Sequence, residues 1–207
     1  MARPRSASFD DQREQILTAA AQLFATHGYT AATMNEVAAA CGVSKPTLYH
    51  YVLDKHDLLA QITTGHVARL EALVADVVLL KLAPEPHLRE LILRFVRAYA
   101  SAEHEHRVLT EDVKFLAEAQ RSVVLAAERR VVAAFAKAVR VLRPDLQAAR
   151  LDKPLAMLLF GMINWTFTWL KAGGALTHEM LAPVVADLFF GGLPAVRRPA
   201  VAKPRAA

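Results

Sequence analysis

Between Thr33 and Lys55 the chain (TMNEVAAACGVSKPTLYHYVLDK) leaves its backbone few choices. Thr33 and Glu36 have the spacing of a capping box, in which the threonine oxygen covers one free N–H and the carboxylate reaches back to another. Val37 and Ala38 then form the buried side of a helix too short to stand alone. Gly42, in Cys41-Gly42-Val43, can take the positive φ of a tight turn. Ser44 is a good N-cap for a second helix, and Pro46 falls in its first turn, where a missing N–H costs little. Leu48 and Tyr51, three apart, face the core and turn Lys45, Pro46, Tyr49 and His50 outward. A face with a cation, a phenol, an imidazole and little acid suits a DNA major groove. The stretch reads as a helix-turn-helix.

The pattern extends on both sides. Arg13…Ile16-Leu17…Ala20…Leu23-Phe24-Ala25…Gly28-Tyr29…Thr33-Met34…Val37-Ala38…Gly42-Val43-Ser44-Lys45…Thr47-Leu48-Tyr49…Tyr51…Lys55…Leu58-Leu59 resembles the N-terminal domain of the TetR family of bacterial transcriptional regulators. Val52 stands where that family usually has Phe, and Cys41 where Ala is common; both exchanges are apolar. The resemblance implies an all-α fold: an N-terminal three-helix bundle with the helix-turn-helix, then a C-terminal helical domain for ligand binding and dimerisation. It implies a homodimer whose two heads reach successive major grooves of a double-stranded operator, roughly 34 Å apart. On this reading Thr33, Ser44, Lys45, Pro46, Thr47, Tyr49, His50 and Lys55 form the DNA-binding set. Lys45 and Thr47 are assigned to bases, and Tyr49 and His50 to phosphates. Lys55, at a helix N-terminus, joins a cation to free amides that suit another phosphate.

Composition adds bounds rather than function. The single cysteine excludes a disulfide framework or a Cys-rich zinc site, and favours a reducing cytoplasm. MARPRSAS has no apolar stretch of the secretory kind. The net charge of +5 is a weak clue, because residues 1–56 carry five Lys/Arg against five Asp/Glu and residues 57–195 carry sixteen against fifteen. Four of the five surplus charges are Arg197, Arg198, Lys203 and Arg205. Expected boundaries are 1–53 for the DNA-binding domain, 54–193 for the effector-binding and dimerisation domain, and 194–207 for a basic tail. Arg3 and Arg5 read as either a minor-groove arm or a plain chain end.

Helical spacing of Ile16, Leu17, Ala20, Leu23 and Phe24 predicts a supporting first helix over Asp10–His27. Asp54 caps a long helix to about Leu80, with Leu59, Ile62, His66, Leu70, Leu73 and Val77 along one stripe. Leu82–Pro86 ends it, and Leu88, Leu91, Ile92, Phe95, Val96 and Tyr99 mark a fifth helix. Ser101–Glu111 (SAEHEHRVLTE) reads as a polar break. A helix over Gln120–Arg143 follows. Lys153 to Lys171 brackets an apolar run, PLAMLLFGMINWTFTWL, that brushes the lower limit of a membrane span. Asn164, Thr166 and Thr168 near its middle favour a helix in the centre of the protein, with no membrane partner. Gly173-Gly174 stops it before a last helix, and the two apolar helices suit a four-helix bundle with a second copy.

Effector contacts are expected among His66, Phe95, Tyr99, Phe115, Phe160, Asn164, Trp165, Thr168 and Trp169, since an amide or imidazole in apolar surroundings needs a partner. A core or dimer seam is the competing reading for the same residues. LFGMINWTFTWLKAGGALT with HRVLTEDVKFL is similar to TetR-type regulators of acyl-CoA or aromatic-acid catabolism. That likeness implies an acyl-CoA-like inducer, with Arg89, Arg94 or Arg97 near its phosphates. His104 and His106, two apart, point to different sides of a helix, so no metal site is expected. No cofactor is expected either. The function expected is therefore a ligand-responsive repressor, not an enzyme. The alternatives are an architectural DNA-binding dimer without effector, and a helical enzyme or lipid carrier, for which no phosphate loop, nucleophile elbow or acid/base pair is present.

Overall fold

The computed structural model describes residues 7–170 and 173–197. Arg3, Arg5, Lys171, Arg198, Lys203 and Arg205 lie outside the described residues. Among these there are helices and no strand: α1 (Ala7–His27), α2 (Met34–Ala40), α3 (Lys45–Leu48), α4 (Lys55–Leu79), α5 (Pro84–Ser101), α6 (Glu103–Asp112), α7 (Glu118–Leu142), α8 (Asp152–Ile163) and α9 (His178–Gly192). The fold is all-α, as the sequence implies. It divides into two compact units, Met1–Ala72 with Tyr99–Arg129 and Leu73–Ala98 with Arg130–Ala207, so α4, α5 and α7 each supply residues to both.

The core of the first unit is built from one stripe of each helix. Ile16, Ala20 and Phe24 of α1, Val37 of α2, Leu48 of α3, Leu58, Leu59 and Ile62 of α4, Val108 of α6 and Val124 of α7 are all buried. Burying each large apolar side chain contributes about 1.5–3 kcal/mol, which lets helices as short as α2 and α3 persist. The turns are fixed by glycine. Gly28 (φ +83°) stops α1 with its N–H on Phe24 O at 2.9 Å. Gly42 (φ +65°) closes α2 in a Schellman arrangement, its N–H on Ala39 O and that of Val43 on Ala38 O. Tyr51 is only half-buried, and its ring stacks on Phe9 at 4.6 Å.

The second unit centres on three rings. Phe135 packs against Phe95 at 4.8 Å and against Phe160 at 4.7 Å. Leu155, Leu159 and Ile163 of α8 and Leu181, Val185 and Phe189 of α9 complete this core.

Two expectations fail. Ser101–Glu111 is not a break: Glu103–Asp112 is helical and buries His106, Val108, Leu109 and Asp112. Two of those inward residues are polar, so an apolar count misses the period. The apolar run is not one helix to Lys171, because α8 ends at Ile163 and a 3-10 turn occupies Thr166–Thr168. Thr166 Oγ1 donates to Ile163 O at 3.0 Å and Thr168 Oγ1 to Trp165 O at 2.7 Å, so threonine hydroxyls take carbonyls near the helix end. Nor is it apolar and buried all round, since Met157, Leu158, Trp165 and Trp169 are exposed. No helix among the described residues is long and apolar enough to cross a membrane.

Candidate nucleic-acid interface

The helix-turn-helix assembles as its residues dictate. Thr33 and Glu36 form the full capping box: Thr33 N–H donates to Glu36 Oε2 at 2.7 Å, and Glu36 N–H to Thr33 Oγ1 at 3.2 Å. The Thr33 hydroxyl also donates to that carboxylate at 2.8 Å. These bonds, the hydroxyl's first, hold the Glu36 carboxyl below its ordinary range. Ser44 caps α3, accepting from Thr47 N–H at 3.2 Å, and its hydroxyl lies 2.7 Å from that of Thr47. Pro46 occupies the first turn. Leu48 is the anchor, fully buried, and around it Lys45, Pro46, Tyr49 and His50 are exposed. Thr47 is half-buried.

Lys55 is differently placed. Its Nζ donates to Thr30 O at 3.1 Å and lies 4.6 Å from the centre of the Tyr29 ring. Burial lowers its pKa, opposed by the carboxylates of Glu36 and Asp112. Next to it, His56 Nδ1 is 2.9 Å from the Tyr29 hydroxyl, and Tyr29 stacks on Phe115 at 5.2 Å. Phe115 lines an open cleft of about 460 Å3 with Leu53, Asp54, His56 and Gln120. Asp54 caps α4 as expected, accepting from Asp57 N–H at 2.8 Å. Sequence reasoning missed Tyr29 and His56, which lie 27 residues apart and meet only in the folded unit, where periodicity gives no signal. Burial pushes the Cys41 thiol up, away from the thiolate a redox sensor needs.

The residues expected at an effector fall into separate groups. In the first unit His66 and His106 are buried with Nε2 and Nδ1 3.4 Å apart, and the rings of Tyr99 and His106 stack at 3.6 Å. His66 Nδ1 is buried with no hydrogen-bond partner among the described residues. Burial, then His106 and Arg69, brings the His66 pKa down to about 3, so it is neutral at working pH. His106, read as part of a polar break, is the missed member of this group. In the second unit Phe95 and Phe160 are core, Asn164 is half-buried, and Trp165, Thr168 and Trp169 are exposed. Arg89 is engaged by Glu85 at 2.9 Å and Asp187 at 2.8 Å, and Arg94 by Glu90 at 2.6 Å. Arg97 alone of the three is exposed.

A one-turn helix beyond a glycine turn, capped at its start, with an exposed lysine on it and an exposed tyrosine and histidine in the turn that leaves it, defines a helix-turn-helix DNA-binding protein. Residues 16–62 match the family model for bacterial regulatory proteins of the tetR family, and residues 81–193 the one for the tetracyclin repressor-like C-terminal domain. A TetR-family transcriptional regulator from Bordetella parapertussis is 34% identical, with a TM-score of 0.83 over 89% of this chain and 97% of that one. The transcriptional repressor KstR2 of Mycobacterium tuberculosis is 25% identical over 89% of this chain and 94% of KstR2. The transcriptional activator FasR of Mycolicibacterium smegmatis is 43% identical, but over only 30% of this chain and 28% of FasR. The chain belongs to the TetR family of bacterial transcriptional regulators. It is a DNA-binding regulator rather than an enzyme.

Proposed function

We propose that this chain is a ligand-responsive repressor that binds a roughly palindromic operator as a homodimer and releases it on taking up an apolar or acyl-CoA-type effector. The outer side of α3 and of the turn that leaves it carries the reading: Lys45 and Thr47 approach base edges, Tyr49 and His50 the phosphates, with Thr33, Ser44, Pro46 and Lys55 at the margin. The domain limits proposed for it are 1–53 for the head and 54–193 for the effector and dimer domain. Dimerisation is supported by the second unit, where Met180, Val184 and Leu188 recur every fourth residue of α9 and are each more than half exposed, with Met157 and Leu158 on α8. Such a stripe suits a four-helix bundle with a second copy.

For the effector, the unpartnered His66 Nδ1 is a buried polar atom suited to a ligand group. The regulator AibR, which has the same fold (24% identical, TM-score 0.72, over 86% of this chain and 97% of its own), was solved with isovaleryl coenzyme A and operator DNA. That is a property of AibR; the acyl-type effector is carried to this chain as part of the proposal. Of the arginines that the acyl-CoA likeness puts near phosphate, Arg89 and Arg94 are already held by carboxylates. Since an effector moves the equilibrium only by its preference for one state, release and uptake must be linked. Titration of a fluorescent protein–duplex complex with a series of acyl-CoAs tests this. Loss of anisotropy with at least one chain length is expected. Anisotropy unchanged across the series would remove the acyl effector from the proposal.

A further inference from the structure

The reading helix α3 is a single turn and cannot fix its own direction. It is held at its ends. Ser44 caps the start, and the exit runs through Tyr49–Leu53, where Val52 is buried while the Leu53 side chain is 82% exposed. That exit is tied by a backbone group: Leu53 N–H donates to Asp57 Oδ2 at 2.9 Å. The same oxygen accepts Gln61 Nε2 at 2.8 Å. Gln61 Oε1 in turn accepts from Arg13 Nε at 2.9 Å and from Arg13 Nη2. One orientation of the Gln61 amide serves both neighbours, oxygen to the guanidinium and NH2 to the carboxylate. Arg13 lies on α1, a helix that otherwise only supports the head.

We propose that Arg13 and Gln61 are positioning residues for DNA recognition: the line Arg13–Gln61–Asp57–Leu53 N–H sets the direction in which α3 presents its outer face. This rests on the assignment of Lys45, Thr47, Tyr49 and His50 as that face. The charge at the far end gives the line its stiffness. A guanidinium clamps the amide oxygen, the amide aims its hydrogens at one carboxylate oxygen, and that oxygen receives the exit N–H. Arg13 and Gln61 also line a small, part-open cleft of about 90 Å3 with Gly65, Arg69, Glu14 and Glu105. Without Arg13, Gln61 has room to turn away, Asp57 loses a donor, and the exit N–H loses its fixed acceptor.

The test uses full-length protein and a duplex recovered by wild type from a random-sequence pool. Affinity is read by anisotropy across a salt series. Arg13→Ala and Gln61→Leu are each expected to weaken binding about tenfold, the scale of a lost charge-assisted hydrogen bond. The slope of log affinity against log salt should stay unchanged, because neither residue touches phosphate. Asp57→Asn, whose amide oxygen can receive both donors, should bind within about twofold of wild type, and Asp57→Ala like Arg13→Ala. The double variant Arg13→Ala/Asp57→Ala should be no worse than Asp57→Ala. A slope reduced by about one in Arg13→Ala would make it a phosphate contact, and additive losses or wild-type affinity would also overturn the relay. If Arg13→Ala does not fold, Gln61→Leu and the two Asp57 variants carry the same comparison. Lys45→Ala with Tyr49→Ala separates the two readings: wild-type affinity there refutes the face itself, whereas their weakening beside unaffected relay variants refutes only the relay.

Discussion

Asp112, the last residue of α6, is a buried carboxylate. Burial first, and the Glu111 charge second, raise its pKa from 3.8 to about 6, while Lys114, Arg107 and Lys55 pull the other way. The folded state therefore holds a proton that the unfolded chain releases. Between pH 3.8 and about 6 the fold binds more protons than the unfolded chain, so stability falls as pH rises through that window and stays penalised above it. Asp112→Asn removes the penalty. Thermal melts should show the variant gaining on wild type from pH 4 to pH 6, with a constant lead above; parallel curves would mean that Asp112 titrates as an exposed acid. His66 has the opposite sign. Its depressed pKa makes it a group whose stabilisation is present above the ordinary histidine range and lost on acidification.

Among the elements, α3 depends most on its ends. Ser44→Ala removes the hydroxyl that accepts Thr47 N–H and should cost about 1 kcal/mol in urea unfolding. Operator affinity should fall as well, because a helix of one turn has no second hydrogen-bonded turn to hold it; unfolding and binding both like wild type would show that the cap is idle. This element was legible in the sequence because its determinants are local: a capping box, a positive-φ glycine, a serine N-cap and a proline in the first turn. α6 was not, because its inward face includes His106 and Asp112, which a hydrophobic pattern counts as outside. The end of α8 was not, because threonine hydroxyls compete for its last carbonyls in a run that reads as uniformly apolar. The partners of Lys55 were likewise hidden, since Tyr29 and Thr30 come from a loop distant in sequence and reach it only in the folded unit.

For the molecule as a whole, the greasy stripe of α9 is the feature a lone chain leaves unexplained. Three large apolar residues on one exposed face exceed the scattered apolar exposure of an ordinary surface. Substituting Val184→Glu and Leu188→Glu together should convert a dimer to monomer in sedimentation. Helix content should be preserved, because both side chains point away from the core. A wild type that sediments as monomer, or a variant that stays dimeric, would move the interface elsewhere. The proposed dimer would couple the stripe to the reading face through operator binding, since two heads on one duplex multiply their separate affinities only if the spacing is kept. The most direct measurement is anisotropy of the selected duplex with wild type, Lys45→Ala and Tyr49→Ala over a salt series. The predicted result is binding at least tenfold weaker in each variant, with the Tyr49→Ala salt slope close to that of wild type because tyrosine carries no charge. Wild-type affinity in both variants would contradict the assignment of α3 as the helix that reads DNA.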